Sequence, residues 1–306
     1  MEMKAVELFS GIGGFNQAAS RCGIKIVAAF DQDSIANEVY AVNHGLKPIC
    51  RNLDSVRGGE IPQAELWWMS PPCTPYTIRG AQRDEKDRRA QSLLNLITII
   101  LREKPKIVVI ENVLHFGRST VLKKFKHGLA QEGYEYSEII LCPTQFGIPM
   151  RRPRLFIWAT TSKITQPAKL SEPIPSVDDI FFQPLTDFLI GEPSEELKID
   201  KSILERYGAV LNIIDPSKPE QKAICFTAGY GKCFKASGSL LLMPDGSVRR
   251  FAPGEILKLM GFPDHFRMPE SVSLAKQWKL LGNSLELRSV LFVLRLIQDS
   301  LASGDY

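Results

Sequence analysis

Residues Met69 to Thr77 read MSPPCTPYT, a cysteine among three prolines directly after an apolar run. Proline fixes its own backbone angle, so the Cys73 thiol is held rather than left to swing. A buried, inert cysteine is the ordinary reading of a lone thiol. On a stiff loop beyond a strand, a nucleophilic thiolate is the sharper one. The run VVIENV ends on Glu111 and Asn112. A carboxylate at the end of an apolar strand needs a partner or a task, and Glu111 taken alone also fits a carboxylate satisfied by backbone amides. A thiol and an acid at one edge suit attack on a heteroaromatic ring with proton transfer to a ring nitrogen. In RRPRLF, Arg152 and Arg154 stand two apart and share a face if the chain is extended. Two such guanidinium groups clamp a nucleobase edge or a phosphate; a solvated basic strand has the same pattern.

A second group of residues points to a cofactor. ELFSGIGGF ends a strand and opens a helix. Gly11, Gly13 and Gly14 allow a tight turn and close approach of a ligand, which the helix amides would then face. A plain strand-to-helix turn has the same glycines, and the spacing is not GxGxxG. The second strand ends in AAFDQD, which puts Asp31 or Asp33 where a carboxylate can bind a ribose diol. Asp33 also suits the N-cap of the next helix, so Asp31 is preferred. Together the two features favour an adenosine-containing cofactor.

The elements that must position these residues alternate. KAVELF, IKIVAAF, AELWWM and KIVVIENV read as strands, with helix-like stretches between them. YSEIILC and RLFIWAT follow as a late strand pair. The expected fold is therefore α/β: a doubly wound, mostly parallel sheet with helices on both faces and ligands beyond the strands' carboxyl ends. From about Thr161 the chain turns polar and proline-rich, then loses its alternation. This predicts a catalytic and cofactor-binding domain over 1–165 and a smaller, irregular target-recognition domain over 166–269. A helical tail over 270–306 should pack back on the first domain.

With 306 residues, 44% of them hydrophobic and 24% charged, a large core is feasible. The net charge of +4 is compatible with nucleic acid without requiring it. Six scattered cysteines form no CxxC or CxxH pair, which argues against a metal site and for a reducing compartment. The N-terminus runs directly into a strand-like stretch with no signal peptide, and no apolar run approaches a membrane span. The reading is a cytoplasmic protein, or a nuclear one in a eukaryote, monomeric and without a membrane partner.

In their order along the chain these motifs resemble the cytosine-5 methyltransferases, Rossmann-like class I enzymes that use S-adenosylmethionine. LFSGIGGF is similar to the family's cofactor loop, SPPC to its catalytic loop, IENV to its glutamate motif and RRPRLF to its arginine strand. RRFAPGEILKLMGFPDHF and LLGNSLELRSV resemble its ninth and tenth motifs. The resemblance implies that Cys73 attacks carbon 6 of a flipped cytosine while Glu111 protonates ring nitrogen 3, with Arg152 and Arg154 holding the intermediate. It places Phe9, Ser10, Gly11, Ile12, Gly13, Gly14, Asp31, Asn52, Asn283 and Ser284 around the cofactor.

Several stretches are similar to one branch, the tRNA-aspartate cytosine-38 methyltransferases. These are VAAFDQDSIANEVYAVN, SPPCTPYTIRGAQRDEKDRRAQSLLNLI and above all CFT, Cys225 to Thr227, followed by AGYGKCFKASGSLL. For three residues alone a half-buried strand with a core cysteine is the plainer account of CFT. The resemblance implies a tRNA substrate, with Cys225, Phe226 and Thr227 at its binding site. The basic cluster that includes Arg79, Arg83 and Arg88 flanks the catalytic loop and suits phosphates of RNA or DNA, and a solvated loop has the same pattern. A compact variable region suits a folded RNA loop with splayed bases. A site-specific DNA methyltransferase of a restriction system is the alternative, and a catalytically weak nucleic-acid binder a further one. Two departures stand out. Thr74 replaces the family's usual glutamine after the cysteine, and Asn52 or Asp54 must fill a place that is often acidic in relatives.

Overall fold

The computed structural model describes residues 2–76, 84–161, 182–191 and 194–302. In chain order the strands are β1 (Met3–Leu8), β2 (Ile24–Asp31), β3 (Ile49–Cys50), β4 (Leu66–Met69), β5 (Ile107–Asn112), β6 (Glu135–Leu141), β7 (Met150–Arg151), β8 (Arg154–Thr160), β9 (Ile213–Ile214), β10 (Ala223–Ile224), β11 (Leu240–Leu242) and β12 (Val248–Arg250). The helices are α1 (Gly14–Ala19), α2 (Ser34–His44), α3 (Gln91–Glu103), α4 (Thr120–Gln131), α5 (Lys201–Tyr207), α6 (Pro253–Leu259), α7 (Leu274–Gly282) and α8 (Leu287–Ala302).

A seven-stranded sheet runs in the order β3-β2-β1-β4-β5-β8-β6. Its strands pair in parallel except β8, which is antiparallel to both β5 and β6. The expected late strand pair is this β6–β8 ladder. The central strands are buried on both faces, as parallel strands between helix layers must be. One face carries Val6, Leu8, Trp67, Met69, Val108, Ile110, Leu155 and Ile157. It packs against Leu93, Leu96 and Ile100 of α3 and Val121, Phe125 and Leu129 of α4. On the alternate positions Phe15 stacks on Trp68 at 4.5 Å. The strand period of two therefore sends Glu7, Glu111 and Arg154 to the face opposite α3 and α4.

The chain divides into two units. The first is Met1–Leu141, Pro153–Ile174 and Ser289–Tyr306; the second is Cys142–Arg152 and Pro175–Arg288. This departs from the expected boundaries at 165 and 269 in two places. Cys142–Arg152 leaves the first unit because β7 pairs with β10 rather than with the large sheet. The helical tail is split: α7 belongs to the second unit, while the chain from Ser289 belongs to the first, where Gln298 Nε2 donates to the Cys22 carbonyl at 2.9 Å. The second unit also holds a three-stranded sheet, β12-β11-β9, and a buried bidentate pair between Arg249 and Glu255 at 2.8 Å. Among the described residues no helix is long and apolar enough to cross a membrane.

Candidate active site

Two strand ends and one loop build the chemical part of the site within the first unit. Glu111, on β5, lies opposite Phe156 of β8 in the antiparallel register. Arg154, two residues before Phe156, is then the diagonal neighbour of Glu111 on the same face. Its Nε stands 3.2 Å from Glu111 Oε1, with the two side chains only 16% and 10% exposed. The next residue, Asn112, reaches the loop. Its buried Nδ2 donates to the Pro71 carbonyl at 3.0 Å, and its Oδ1 accepts from Val113 N at 2.8 Å. Asn112 thus ties the end of β5 to the proline loop two residues before Cys73. Cys73 is half-buried, and its carbonyl accepts from Tyr76 N at 2.9 Å, closing a short helical turn over Thr74–Tyr76. Tyr76 locks that turn by packing edge-on against Phe116.

The glycine turn follows β1. Phe9 takes a left-handed conformation, φ 60°, which is strained for a phenylalanine. Asp31 ends β2 and grips the turn, accepting from Gly11 N at 2.8 Å with one oxygen and from Asp33 N at 2.8 Å with the other. Asp33 is the N-cap of α2, accepting from Ile35 N and Ala36 N. Gly13 has φ 87°, and a Cβ there would sit 2.3 Å from His44 Nε2. Gly14 is buried at the start of α1, and Ile12 is a core side chain. Asn52 binds Asp54, donating at 3.1 Å, and Asp54 also accepts from Ser92.

The α1 amides do not face outward as the motif suggests. The N–H groups of Phe15 and Asn16 donate to Glu7, a fully buried carboxyl on β1 that also accepts from Tyr40 at 2.9 Å. Burial outweighs these donors and pushes Glu7 up to about 8. The only sequence signal for Glu7 is an acid inside an otherwise apolar strand.

Arg152 is also not where the sequence places it. The strand is interrupted at Arg152 and Pro153, so Arg152 does not share a strand face with Arg154. It is 3% exposed, and its guanidinium donates to the carbonyls of Phe226 and Gly282 at 3.0 and 3.3 Å, to the carbonyl of Ser284, and to Cys225 Sγ at 3.2 Å. It crosslinks three segments of the second unit. Phe226 is fully buried between Tyr230 and Phe251, so it is a core residue rather than a substrate contact. Thr227 caps the turn that follows. A Cβ on Gly282 would meet the Thr227 backbone at 2.1 Å, so the glycine of LLGNS is needed for CFT to approach α7. Asn283 is the C-cap of α7, and Ser284 beside it is buried. Arg88 is exposed, while Arg79 and Arg83 lie outside the described residues. Among the described residues no group of His, Cys, Asp and Glu could hold a metal ion.

The family model of the C-5 cytosine-specific DNA methylases matches residues 3–298. The chain belongs to that family. Its members are cytosine-5 methyltransferases, and they use S-adenosylmethionine. The chain is 29% identical to a tRNA (cytosine(38)-C(5))-methyltransferase of Schizosaccharomyces pombe, over 98% of each chain. It is 26% identical to the type II methyltransferase M.HhaI of Haemophilus parahaemolyticus, over 99% of this chain and 97% of that one. A solved methyltransferase of Entamoeba histolytica superposes with a TM-score of 0.88 at 27% identity, over 98% of this chain and 99% of that one.

The glycine turn of this family member fits the methyl donor. Ser10 Oγ is buried with no hydrogen-bond partner among the described residues, and a Cβ on Gly11 would meet nothing within 4 Å. A hydroxyl left unpaired beside open space is where a polar ligand completes the bonding.

Proposed function

We propose that this cytosine-5 methyltransferase acts on tRNA, at cytosine 38 of an anticodon loop. The observation that carries the reading is the end-to-end similarity to the S. pombe tRNA enzyme, supported by the Cys225–Thr227 segment and the stretch that follows it.

The chemistry follows from the β5 edge. Cytosine is not electrophilic enough at carbon 6 for a thiol to add unaided. Cys73, as thiolate, adds to carbon 6 while Glu111 delivers a proton to nitrogen 3, which keeps charge from accumulating on the ring. Carbon 5 becomes nucleophilic. S-adenosylmethionine, when bound, supplies an electrophilic methyl group. Loss of the carbon-5 proton to a base then restores the double bond and expels the Cys73 thiolate, as the nitrogen-3 proton returns to Glu111. Arg154 aims the Glu111 carboxyl, and Asn112 holds the loop that carries Cys73. The base must leave its stack to reach the thiol, which is easier from a loop than from a duplex. Phe9, Ser10, Gly11 and Asp31 hold the methyl donor in the first unit.

Incubation with tritiated S-adenosylmethionine and either tRNA transcripts or duplex DNA tests the substrate. Label in tRNA, mapped to the anticodon loop, is expected. Label in DNA alone would favour the restriction-type reading that the likeness to M.HhaI supports. Cys73→Ala should abolish transfer while cofactor affinity stays within about twofold; turnover near the parent rate would remove Cys73 as the nucleophile. RNA binding that survives this substitution, with no turnover in the parent, would instead identify a binding protein that retains the fold.

A further inference from the structure

The second unit contains a ladder of planar groups that methyl transfer does not use. At its inner end Trp278 of α7 is 5% exposed and packs edge-on against Tyr230. The Arg250 guanidinium lies 5.5 Å from the Trp278 ring centre and 5.0 Å from that of Phe234. Phe234 stacks on Tyr207 at 5.8 Å, with 19° between the rings. Arg206 lies 5.2 Å over the Tyr207 ring. Exposure rises along the ladder: Trp278 is buried, Arg250, Phe234 and Tyr207 are half-buried, and Arg206 is exposed.

The outer end of the ladder is a tyrosine ring covered by an exposed cation. Its inner arginine stacks on rings at 5.0 and 5.5 Å, and Arg250 Nε is buried with no hydrogen-bond partner among the described residues. Lys232 and Lys235, both exposed, bracket Phe234 on a turn that also holds Ala236 at φ 46°. Interleaved guanidinium and aromatic planes with flanking lysines match an unstacked nucleobase and its phosphates. A base can replace Arg206 on the Tyr207 face or stack upon its guanidinium, since both present a flat surface.

We propose that Tyr207 and Arg206, backed by Phe234 and Arg250, form a platform that stacks one unpaired base of the RNA substrate other than the methylated cytosine. Lys232 and Lys235 meet the adjoining phosphates. The inference rests on the tRNA reading above and assigns part of that substrate's binding to α5 and the turn at Phe234.

The test uses the full chain and an anticodon stem-loop hairpin, followed by fluorescence anisotropy. Tyr207→Ala should weaken hairpin binding about tenfold, Tyr207→Phe should bind like the parent, and cofactor affinity and Tm should hold in both. An abasic nucleotide is then moved through the loop. At one position it should weaken the parent about tenfold and leave Tyr207→Ala unchanged, which marks the stacked base. Hairpin binding that is equal in Tyr207→Ala and the parent would overturn the platform and leave the tRNA reading intact. A parent that binds duplex DNA and not the hairpin would overturn both. A fall in Tm and cofactor affinity together with hairpin binding in Tyr207→Ala would assign the ladder to stability and overturn the proposal.

Discussion

Arg154 Nε lies 3.2 Å from Glu111 Oε1, a diagonal pair across the antiparallel junction between β5 and β8. A parallel neighbour in that place would lie in a different register, so the single reversed strand is what brings the arginine to the acid. Glu111→Gln keeps the shape of the side chain and removes the titrating proton. The turnover number should fall about a hundredfold or more, with cofactor affinity unchanged. Equal losses in both would assign Glu111 to structure. Arg154→Ala leaves a buried carboxylate without its guanidinium, which should destabilise the protein by about 3 kcal/mol and lower turnover as well.

Arg152 should separate cleanly from Arg154. It holds the carbonyls of Phe226, Gly282 and Ser284 within the second unit. Arg152→Lys cannot reach several carbonyls with one ammonium. Its main effect should be a lower Tm, measured by calorimetry. At a temperature where the variant is fully folded, a turnover loss matching that of Arg154→Ala would contradict this assignment.

Asn112 links β5 to the loop of Cys73 through the Pro71 carbonyl at 3.0 Å. Asn112→Asp replaces the donor by an anion facing a carbonyl oxygen. Misplacement of a nucleophile by an ångström costs about a hundredfold in rate, so turnover should drop strongly while KM for the nucleic-acid substrate moves little. A change confined to KM would show that the link serves binding instead.

The two turn glycines should respond differently. A Cβ at Gly13 would stand 2.3 Å from His44 Nε2 in a backbone at φ 87°. Gly13→Ala should therefore lower Tm markedly. At Gly11 the backbone is also left-handed, φ 53°, and nothing lies within 4 Å. There the stability penalty should be only about 1 kcal/mol, and a larger loss should appear in S-adenosylmethionine affinity, read by calorimetry. Undiminished affinity in Gly11→Ala would move the ligand away from this turn.

Two groups shifted by burial, Glu7 and the half-buried His44, give stability opposite pH slopes. Burial raises Glu7 to about 8, so the folded chain holds a proton there that the unfolded chain releases near the ordinary carboxyl value. That stability is complete at low pH and is lost as pH rises toward about 8. Burial lowers His44 to about 4 from 6.5, so its contribution is complete above 6.5 and is lost as pH falls through about 4. Above pH 6.5 only the first slope acts. Tm should fall as pH is raised from there, and Glu7→Gln should flatten that limb. A parallel decline in the variant would remove Glu7 as its source.

Residue type and order alone were enough for the family and the strand-to-helix alternation, and they singled out Cys73 and Glu111 as the pair proposed for the chemistry, because proline-stiffened thiols, glycine turns and strand-end acids are local features. The cap at Asp33 is equally local and is read directly from its place before Ser34. Tertiary structure alone decided the rest. Whether Arg152 or Arg154 meets the acid depends on where the strand resumes after Pro153 and on its antiparallel register with β5. Two arginines two apart look equivalent until one is drawn into a cage of carbonyls from segments more than seventy residues away. The Phe15 and Asn16 amides of α1 turn inward because the buried carboxyl of Glu7 on β1 accepts from them. The ladder from Trp278 to Arg206 joins four separate stretches of chain, whose planes have no common pattern until folding stacks them.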